Sequence, residues 1–175
     1  MVGSLIKNPG GGLAPTGGYI AGKENVISQI AYRLTSPSIG MEIGSYTGGY
    51  QQFYQGVFLA PHTTMNATKG SALFGQVFSD LGYQVCPNPT AKCNDTVRSI
   101  KFNTKDELIS FIQMIQKASP IDSNVLPLPW DMPGYDNQVI MAAGTFVAGS
   151  SIELSADSPI KEPYIAYVQG GLTYE

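Results

Sequence analysis

Charged side chains are scarce in this sequence of 175 residues, where Asp, Glu, Lys and Arg together make up 13%. Soluble domains typically carry about 25% charged residues, so the low value indicates that another chain, or a further part of the same protein, covers much of the surface. The net charge is −3, and the basic residues are scattered without forming a stripe. This distribution argues against nucleic acid as a partner.

Long apolar runs are also missing from the sequence. No stretch approaches the roughly 20 residues that a membrane-spanning helix needs. Residues 1–20 contain neither a basic leader nor an uninterrupted apolar segment of the kind found in signal peptides. We therefore expect no membrane partner and a cytoplasmic location.

Residues that bind metals are few. His62 is the only histidine, and the two cysteines, Cys86 and Cys93, flank the short segment 87–92. A zinc site needs about four ligands, so we predict no metal. A disulfide across the loop is an alternative, but it would be unusual in the cytosol, and we interpret both cysteines as free thiols.

The first eighteen residues contain the pattern that carries chemistry. Lys7 follows a short apolar run and precedes Gly10, Gly11 and Gly12, while the hydroxyl of Ser4 lies three residues before the lysine. Glycines allow close approach of the backbone to a ligand, and a lysine in a crowded, apolar setting can act as an amine nucleophile. Ser4, Lys7 and the glycines suit a pyridoxal phosphate pocket in which the lysine bonds the aldehyde and the serine holds the phosphate.

Three other interpretations of this stretch compete. Ser-x-x-Lys is also the nucleophile motif of penicillin-binding enzymes, but there it opens a helix, which Pro9 and three glycines would prevent here. A P-loop places its lysine after the glycines, the reverse of the order seen here. From the pattern alone, a lysine in a glycine-rich surface loop explains the residues equally well.

Longer motifs relate the sequence to a known family. These motifs are Gly3–Gly12, Thr16–Gly22, Phe53–His62, Pro127–Gly134, Ser151–Asp157 and Glu162–Tyr174. Together they resemble the aluminium-resistance proteins, which are methionine gamma-lyase-like members of the enzymes of Cys/Met metabolism that use pyridoxal phosphate. The likeness extends over nearly the whole chain.

The resemblance implies an α/β fold, namely a fragment of a fold type I pyridoxal-phosphate-dependent transferase. Residues 1–60 would be the end of the cofactor-binding large domain, and residues 61–175 the small C-terminal α/β domain, truncated at its end. Lys7 would bind the cofactor aldehyde and Ser4 its phosphate. The resemblance also implies a sulfur-containing amino acid as substrate and a homo-oligomer, a tetramer in this family.

The substrate carboxylate lacks an obvious partner in the sequence. Enzymes of fold type I usually bind it with an arginine late in the chain, but the only arginines here are Arg33 and Arg98. Lys161 stands in a predicted late loop and can supply the charge, though not the bidentate geometry of arginine. A solvated loop lysine is the alternative interpretation.

Periodicity predicts the remaining elements. Apolar spacing indicates a helix over residues 23–34 and a helix from about Pro61 to Leu81 in which Pro61 lies in the first turn. Residues 39–56 are expected to form a loop that contains a short helical or extended piece. Thr104–Glu107 is a capping box that opens another helix. Segments with β character lie at residues 83–85, 96–102, 139–143, 151–155 and 164–169, and a loop is expected over 156–163.

The sequence thus predicts the C-terminal half of a carbon–sulfur lyase. The alternative is a non-catalytic remnant that acts only in folding or assembly. Family members are more than twice as long, and their upstream half would supply the aromatic ring that stacks on the cofactor and the aspartate that pairs with its nitrogen. We therefore expect this chain alone to bind pyridoxal phosphate weakly and to self-associate through its poorly charged surface.

Overall fold

Two antiparallel sheets and three α-helices make up the part of the chain that the structure describes. The structure is a computed structural model, and it describes residues 1–36, 38–143 and 154–171. The helices are α1 (Glu24–Leu34), α2 (Gln51–Asp80) and α3 (Lys105–Ala118). The strands are β1 (Val2–Ser4), β2 (Gly18–Ile20), β3 (Gln84–Cys86), β4 (Arg98–Lys101), β5 (Val139–Ala142), β6 (Ser155–Pro159) and β7 (Ile165–Gln169).

The small sheet is the hairpin of β1 and β2, with Gly3 opposite Tyr19. The larger sheet has the order β3-β4-β7-β6-β5, and every neighbouring pair is antiparallel. This mixed α/β arrangement agrees with the predicted fold class at that level. The proposed division at residues 60 and 61 falls inside α2 and stays a prediction.

The hydrophobic core lies between one face of the larger sheet and the helices α2 and α3. Ile100, Ile140 and Val168 come from the sheet, and Leu108 and Ile112 from α3, and all five are at most 1% exposed. Successive strand residues point to opposite faces, so Ser99, Tyr167, Asp157 and Met141, which sit opposite one another across four strands, line the other face.

Helix α3 follows the sequence prediction closely. The hydroxyl of Thr104 accepts a hydrogen bond from the Glu107 N–H at 3.2 Å, and the Glu107 carboxylate accepts one from the Asn103 N–H at 3.0 Å. The capping box is confirmed, with the glutamate bonding one residue further back than usual. The helix at residues 23–34 and the strands at 83–85, 96–102, 139–143 and 164–169 are also confirmed within one or two residues.

Helix α2 begins ten residues earlier than its sequence predicts. Pro61 lies in its interior, and residues 51–56, where we expected a loop with at most a short helical or extended piece, belong to the same long helix. Proline gives up one intrahelical hydrogen bond. The first turns of α2 pack on the turn that follows Lys7, and this tertiary contact offsets the loss.

Strand β6 is the second difference. Residues 156–163 were expected to form a loop, but Ser155–Pro159 is a strand paired on both sides, with β5 and β7. The sequence Ser-Ala-Asp-Ser-Pro has little β propensity, yet Ala156 and Ser158 are buried because small side chains fit beneath the helices. Most of the strand expected at 151–155 lies outside the described residues.

Candidate functional site

Lys7 stands between strand β1 and a single 3₁₀ turn, Asn8–Gly10. Its backbone is extended, with φ −103° and ψ −170°, and its carbonyl accepts a hydrogen bond from the Gly10 N–H at 2.9 Å. The side chain is exposed. The candidate lysine therefore sits on a tightly turned backbone with its amine accessible.

The glycines after Lys7 allow close packing within the protein. A Cβ at Gly10 would lie 1.6 Å from the Leu5 carbonyl oxygen, and one at Gly11, whose φ is +60°, would lie 2.1 Å from the Gly56 carbonyl oxygen. Reciprocally, a Cβ at Gly56 would lie 2.1 Å from the Gly10 carbonyl oxygen. We call residues 5–12, which include Lys7 and the 3₁₀ turn, the lysine loop. Gly10 and Gly11 bring this loop onto helix α2, whereas the sequence had suggested that they allow close approach to a ligand.

Ser4 is the last residue of β1 and pairs with Gly18 across the hairpin. It is half-buried, and the next residue, Leu5, donates its N–H to the Gly17 carbonyl at 3.0 Å. The hairpin therefore fixes the backbone on the N-terminal side of Lys7, as the 3₁₀ turn fixes it on the other side. The role of Ser4 toward a phosphate stays a prediction.

Asn8 carries a buried donor beside the lysine. Its Nδ2 has no hydrogen-bond acceptor among the described residues. Buried amide donors are nearly always paired, and leaving one unpaired costs about 1–3 kcal/mol. An oxygen-rich group bound next to Lys7 would supply the acceptor, so the residues present fit a phosphorylated cofactor at this point.

Asp157 is a charged group near Lys7 that the sequence did not reveal. It lies on β6, on the sheet face opposite the hydrophobic core. Burial raises the pKa of the Asp157 carboxyl, and the positive charge of Lys7 partly opposes this rise. This electrostatic interaction shows that strand β6 lies near the lysine loop. The only signal in the sequence was a single acid within a run of small residues.

Lys161 is exposed in the turn after β6, where its N–H donates to the Pro159 carbonyl at 3.0 Å. It follows Asp157 by four residues, which corresponds to about 13 Å along an extended chain. Its role toward a substrate carboxylate stays a prediction.

Arg98 is unavailable to a substrate. It is fully buried and donates to both the carbonyl and the hydroxyl of Ser71, to the Pro87 carbonyl and to Cys93 Sγ. Its guanidinium holds α2 and the loop after β3 together. Cys86 and Cys93 are free thiols, as expected.

A cavity of about 990 Å³ lies beside the lysine loop, between the β1–β2 hairpin, residues 45–50 and the start of α2. Leu5 and Pro9, on either side of Lys7, contribute to its wall, together with Tyr19, Tyr50 and Phe53. Lys7 itself does not line the cavity. Among the described residues there is no group of three His, Cys, Asp or Glu side chains able to hold a metal, and no helix long and apolar enough to cross a bilayer.

Comparison with known proteins then identifies the family. The family model described as methionine gamma-lyase matches residues 1–175. The chain belongs to this family. The resemblance seen in the sequence is thereby confirmed, and the chain is a member of a lyase family.

Relatives with solved structures share the fold of this chain. A Clostridium novyi protein named a carbon-sulfur lyase involved in aluminum resistance is 57% identical, with a TM-score of 0.90 over 99% of this chain and 40% of its own. A Listeria monocytogenes protein, provisionally named a cystathionine beta-lyase involved in aluminum resistance, is 52% identical, with a TM-score of 0.93 over 99% of this chain and 43% of its own.

A curated relative shows the same difference in length. The uncharacterized protein YnbB of Bacillus subtilis is 53% identical over 174 residues, which are 99% of this chain and 41% of that protein. The chain therefore spans well under half the length of these three relatives. More than half of each relative has no counterpart in this sequence.

Proposed function

We propose that this chain supplies the lysine-bearing part of a pyridoxal-phosphate-dependent carbon–sulfur lyase that acts on sulfur-containing amino acids. Membership of the methionine gamma-lyase family and the name of the Clostridium novyi relative support the lyase class. One observation carries the cofactor proposal. The exposed residue Lys7 is followed directly by Asn8, whose buried amide donor has no acceptor among the described residues.

Four residues of this chain would have separate roles toward the cofactor and the substrate. Pyridoxal phosphate, when bound, withdraws electrons from the substrate and so weakens the bonds at its Cα. Lys7 would hold the cofactor through its aldehyde, and its amine would move the proton at the substrate Cα. The Ser4 hydroxyl and the Asn8 amide would donate hydrogen bonds to oxygens of the cofactor, and the Lys161 ammonium would attract the substrate carboxylate.

Asp157 is the acidic group that interacts with Lys7. Burial raises the pKa of its carboxyl, and the positive charge of Lys7 partly opposes this rise. The carboxyl therefore takes up a proton at a higher pH than an exposed aspartate does.

Covalent trapping tests the assignment of Lys7. The purified chain is incubated with excess pyridoxal phosphate, reduced with borohydride and mapped by peptide mass spectrometry. We expect the reduced adduct mainly on Lys7, and its loss in Lys7→Ala, with Lys161→Ala as the matched control that retains it. An adduct found mainly on another lysine, or spread evenly over all eight lysines of the sequence, would contradict the proposal.

A role in assembly alone is the second candidate, and the length comparison favours it. The chain spans 41% of YnbB and 43% of the Listeria protein, and part of the family's catalytic apparatus is expected outside the region that matches. The trapping experiment separates the two candidates, because a chain that acts only in assembly has no reason to direct the cofactor to Lys7.

A further inference from the structure

The wall of the cavity beside the lysine loop consists mainly of apolar and aromatic residues. Its lining includes the side chains of Tyr46, Phe53, Tyr54 and Val57, and no Asp, Glu, Lys, Arg or His among the described residues. Tyr54 is 76% exposed and Val57 is 54% exposed. An open wall of this composition exposes apolar surface to water at a cost of about 25 cal/mol per Å².

A second hollow adjoins the first. It has a volume of about 440 Å³ and is lined in part by Ile27, Ile30 and Leu34 of helix α1. Gly18, Ser45 and Tyr50 belong to both linings. We call the residues of these two linings the two-hollow surface.

Helix α1 shows that the two-hollow surface is incomplete. The helix has an apolar stripe, yet none of its residues is buried. An isolated helix of 11 residues is marginal in water, and most helices owe their stability to packing of such a stripe. The stripe of α1 therefore requires a covering partner.

The extent of the surface indicates a polypeptide as that partner. Pockets for small molecules measure about 300–1,000 Å³ and enclose their ligand, so one ligand would fill the first hollow and leave α1 uncovered. A polypeptide can occupy both hollows and also cover Phe58, which is 83% exposed on the same helix as Val57. Contiguous apolar areas of this kind mark interaction sites between proteins.

We infer that the two-hollow surface binds the part of the family's polypeptide that has no counterpart in this chain. The Listeria relative contains the same fold at a TM-score of 0.93, and this fold accounts for 43% of that chain. Its remaining polypeptide must pack against the shared fold somewhere, and the two-hollow surface is a concave, largely apolar part of that fold that lacks a cover among the described residues. The inference does not depend on the cofactor chemistry.

Reconstitution from two polypeptides tests this inference. The longest segment of the Listeria monocytogenes relative outside the matched region is expressed separately and titrated into this chain, with calorimetry and light scattering as readouts. We expect a one-to-one complex and a fall in the fluorescence of an apolar dye bound to this chain.

Two valines of α2 provide a matched pair of variants. Val57 lines the first hollow and is 54% exposed, whereas Val77 lies outside the two-hollow surface on the same helix and is 45% exposed. We expect Val57→Lys to weaken the complex at least tenfold and Val77→Lys to leave it unchanged. Tyr54→Lys, at a position that is still more exposed, is the second variant, and circular dichroism checks that each variant is folded.

Three results would overturn the inference. The first is the absence of any complex at the highest concentrations at which both polypeptides remain soluble. The second is equal weakening by Val57→Lys and Val77→Lys. The third is self-association of this chain that Val57→Lys abolishes while the Listeria segment does not compete, because a second copy would then be the occupant.

Discussion

Gly56→Ala tests whether the lysine loop is held in place by close contact with helix α2. In the wild type the backbone of the loop touches the helix at Gly56. A Cβ at this position would lie 2.1 Å from the Gly10 carbonyl oxygen, and real Cβ atoms essentially never approach another atom closer than 3.0 Å. The contact is with backbone on both sides, so no side-chain rotation relieves it. The loop or the helix must move.

Two effects of opposite sign determine how much Gly56→Ala changes the free energy of unfolding. Alanine is favoured over glycine in a helix interior by about 1 kcal/mol. Forcing extra volume into a closely packed contact typically costs about 1–3 kcal/mol. We therefore expect Gly56→Ala to lower the free energy of unfolding by about 1 kcal/mol, where an uncrowded helical glycine would show a gain of similar size.

Urea denaturation followed by circular dichroism measures the change, with Gly49→Ala as the control. A Cβ at Gly49 meets nothing within 4 Å, so that variant should stay within about 0.5 kcal/mol of the wild type. The midpoint should fall for Gly56→Ala with an unchanged slope, since the surface exposed on unfolding is the same. A variant more stable than the wild type by about 1 kcal/mol would refute the packing argument.

Two further predictions concern the capping box and the buried acid. Thr104→Ala removes the acceptor for the Glu107 N–H and should destabilise the protein by about 1 kcal/mol, while Thr104→Ser should not; equal stability of all three proteins in urea would contradict this. Asp157→Asn should raise the melting temperature above that of the wild type. The difference should grow as the pH rises towards neutral from below 3.8, which is the ordinary pKa of an aspartate carboxyl. Burial raises the folded-state pKa, so the stabilising contribution of Asp157 is present below its unfolded pKa and is lost as pH rises through its folded pKa. A temperature difference independent of pH would count against it.

Local sequence signals were sufficient for the elements whose stability is local. The capping box at Thr104 and the alternation at residues 164–169 identified α3 and β7 because capping and strand periodicity act within a few residues. The same holds for α1, whose apolar stripe is visible even though nothing described covers it.

Elements that depend on distant contacts were mispredicted. Pro61 suggested a helix start because proline fits the first turn, but residues 51–60 are helical owing to their packing on the lysine loop. Residues 155–159 form a strand because β5 and β7 pair with them on both sides. Their five small or polar side chains give no local signal for a strand.

Some residues of the candidate site could be predicted from the local sequence, and others come together only through the fold. The short stretch from Ser4 to Gly12 suggested Lys7 because its residue types and spacing are local. Asp157 could not be found from the sequence, since only the fold of strand β6 brings it near Lys7. The partner of Gly10 and Gly11 was hidden for the same reason, because Gly56 lies far along the chain.

Helix α2 links the lysine loop to the larger sheet and so determines where Lys7 lies relative to Asp157. Its thirty residues span about 45 Å at 1.5 Å per residue. Near its start, Gly56 fixes the helix to the lysine loop, and near its end, Gly75 leaves room for the buried guanidinium of Arg98 at 3.0 Å from where a Cβ would stand.

Arg98 belongs to strand β4 and donates to the Ser71 carbonyl of α2 at 3.1 Å, so the far end of the helix is fixed to the sheet that carries Asp157. Both attachments rely on glycine, because each brings backbone or a guanidinium against the helix where a Cβ would stand. A shift of α2 at either attachment would therefore change the separation of Lys7 and Asp157, although neither attachment includes either residue.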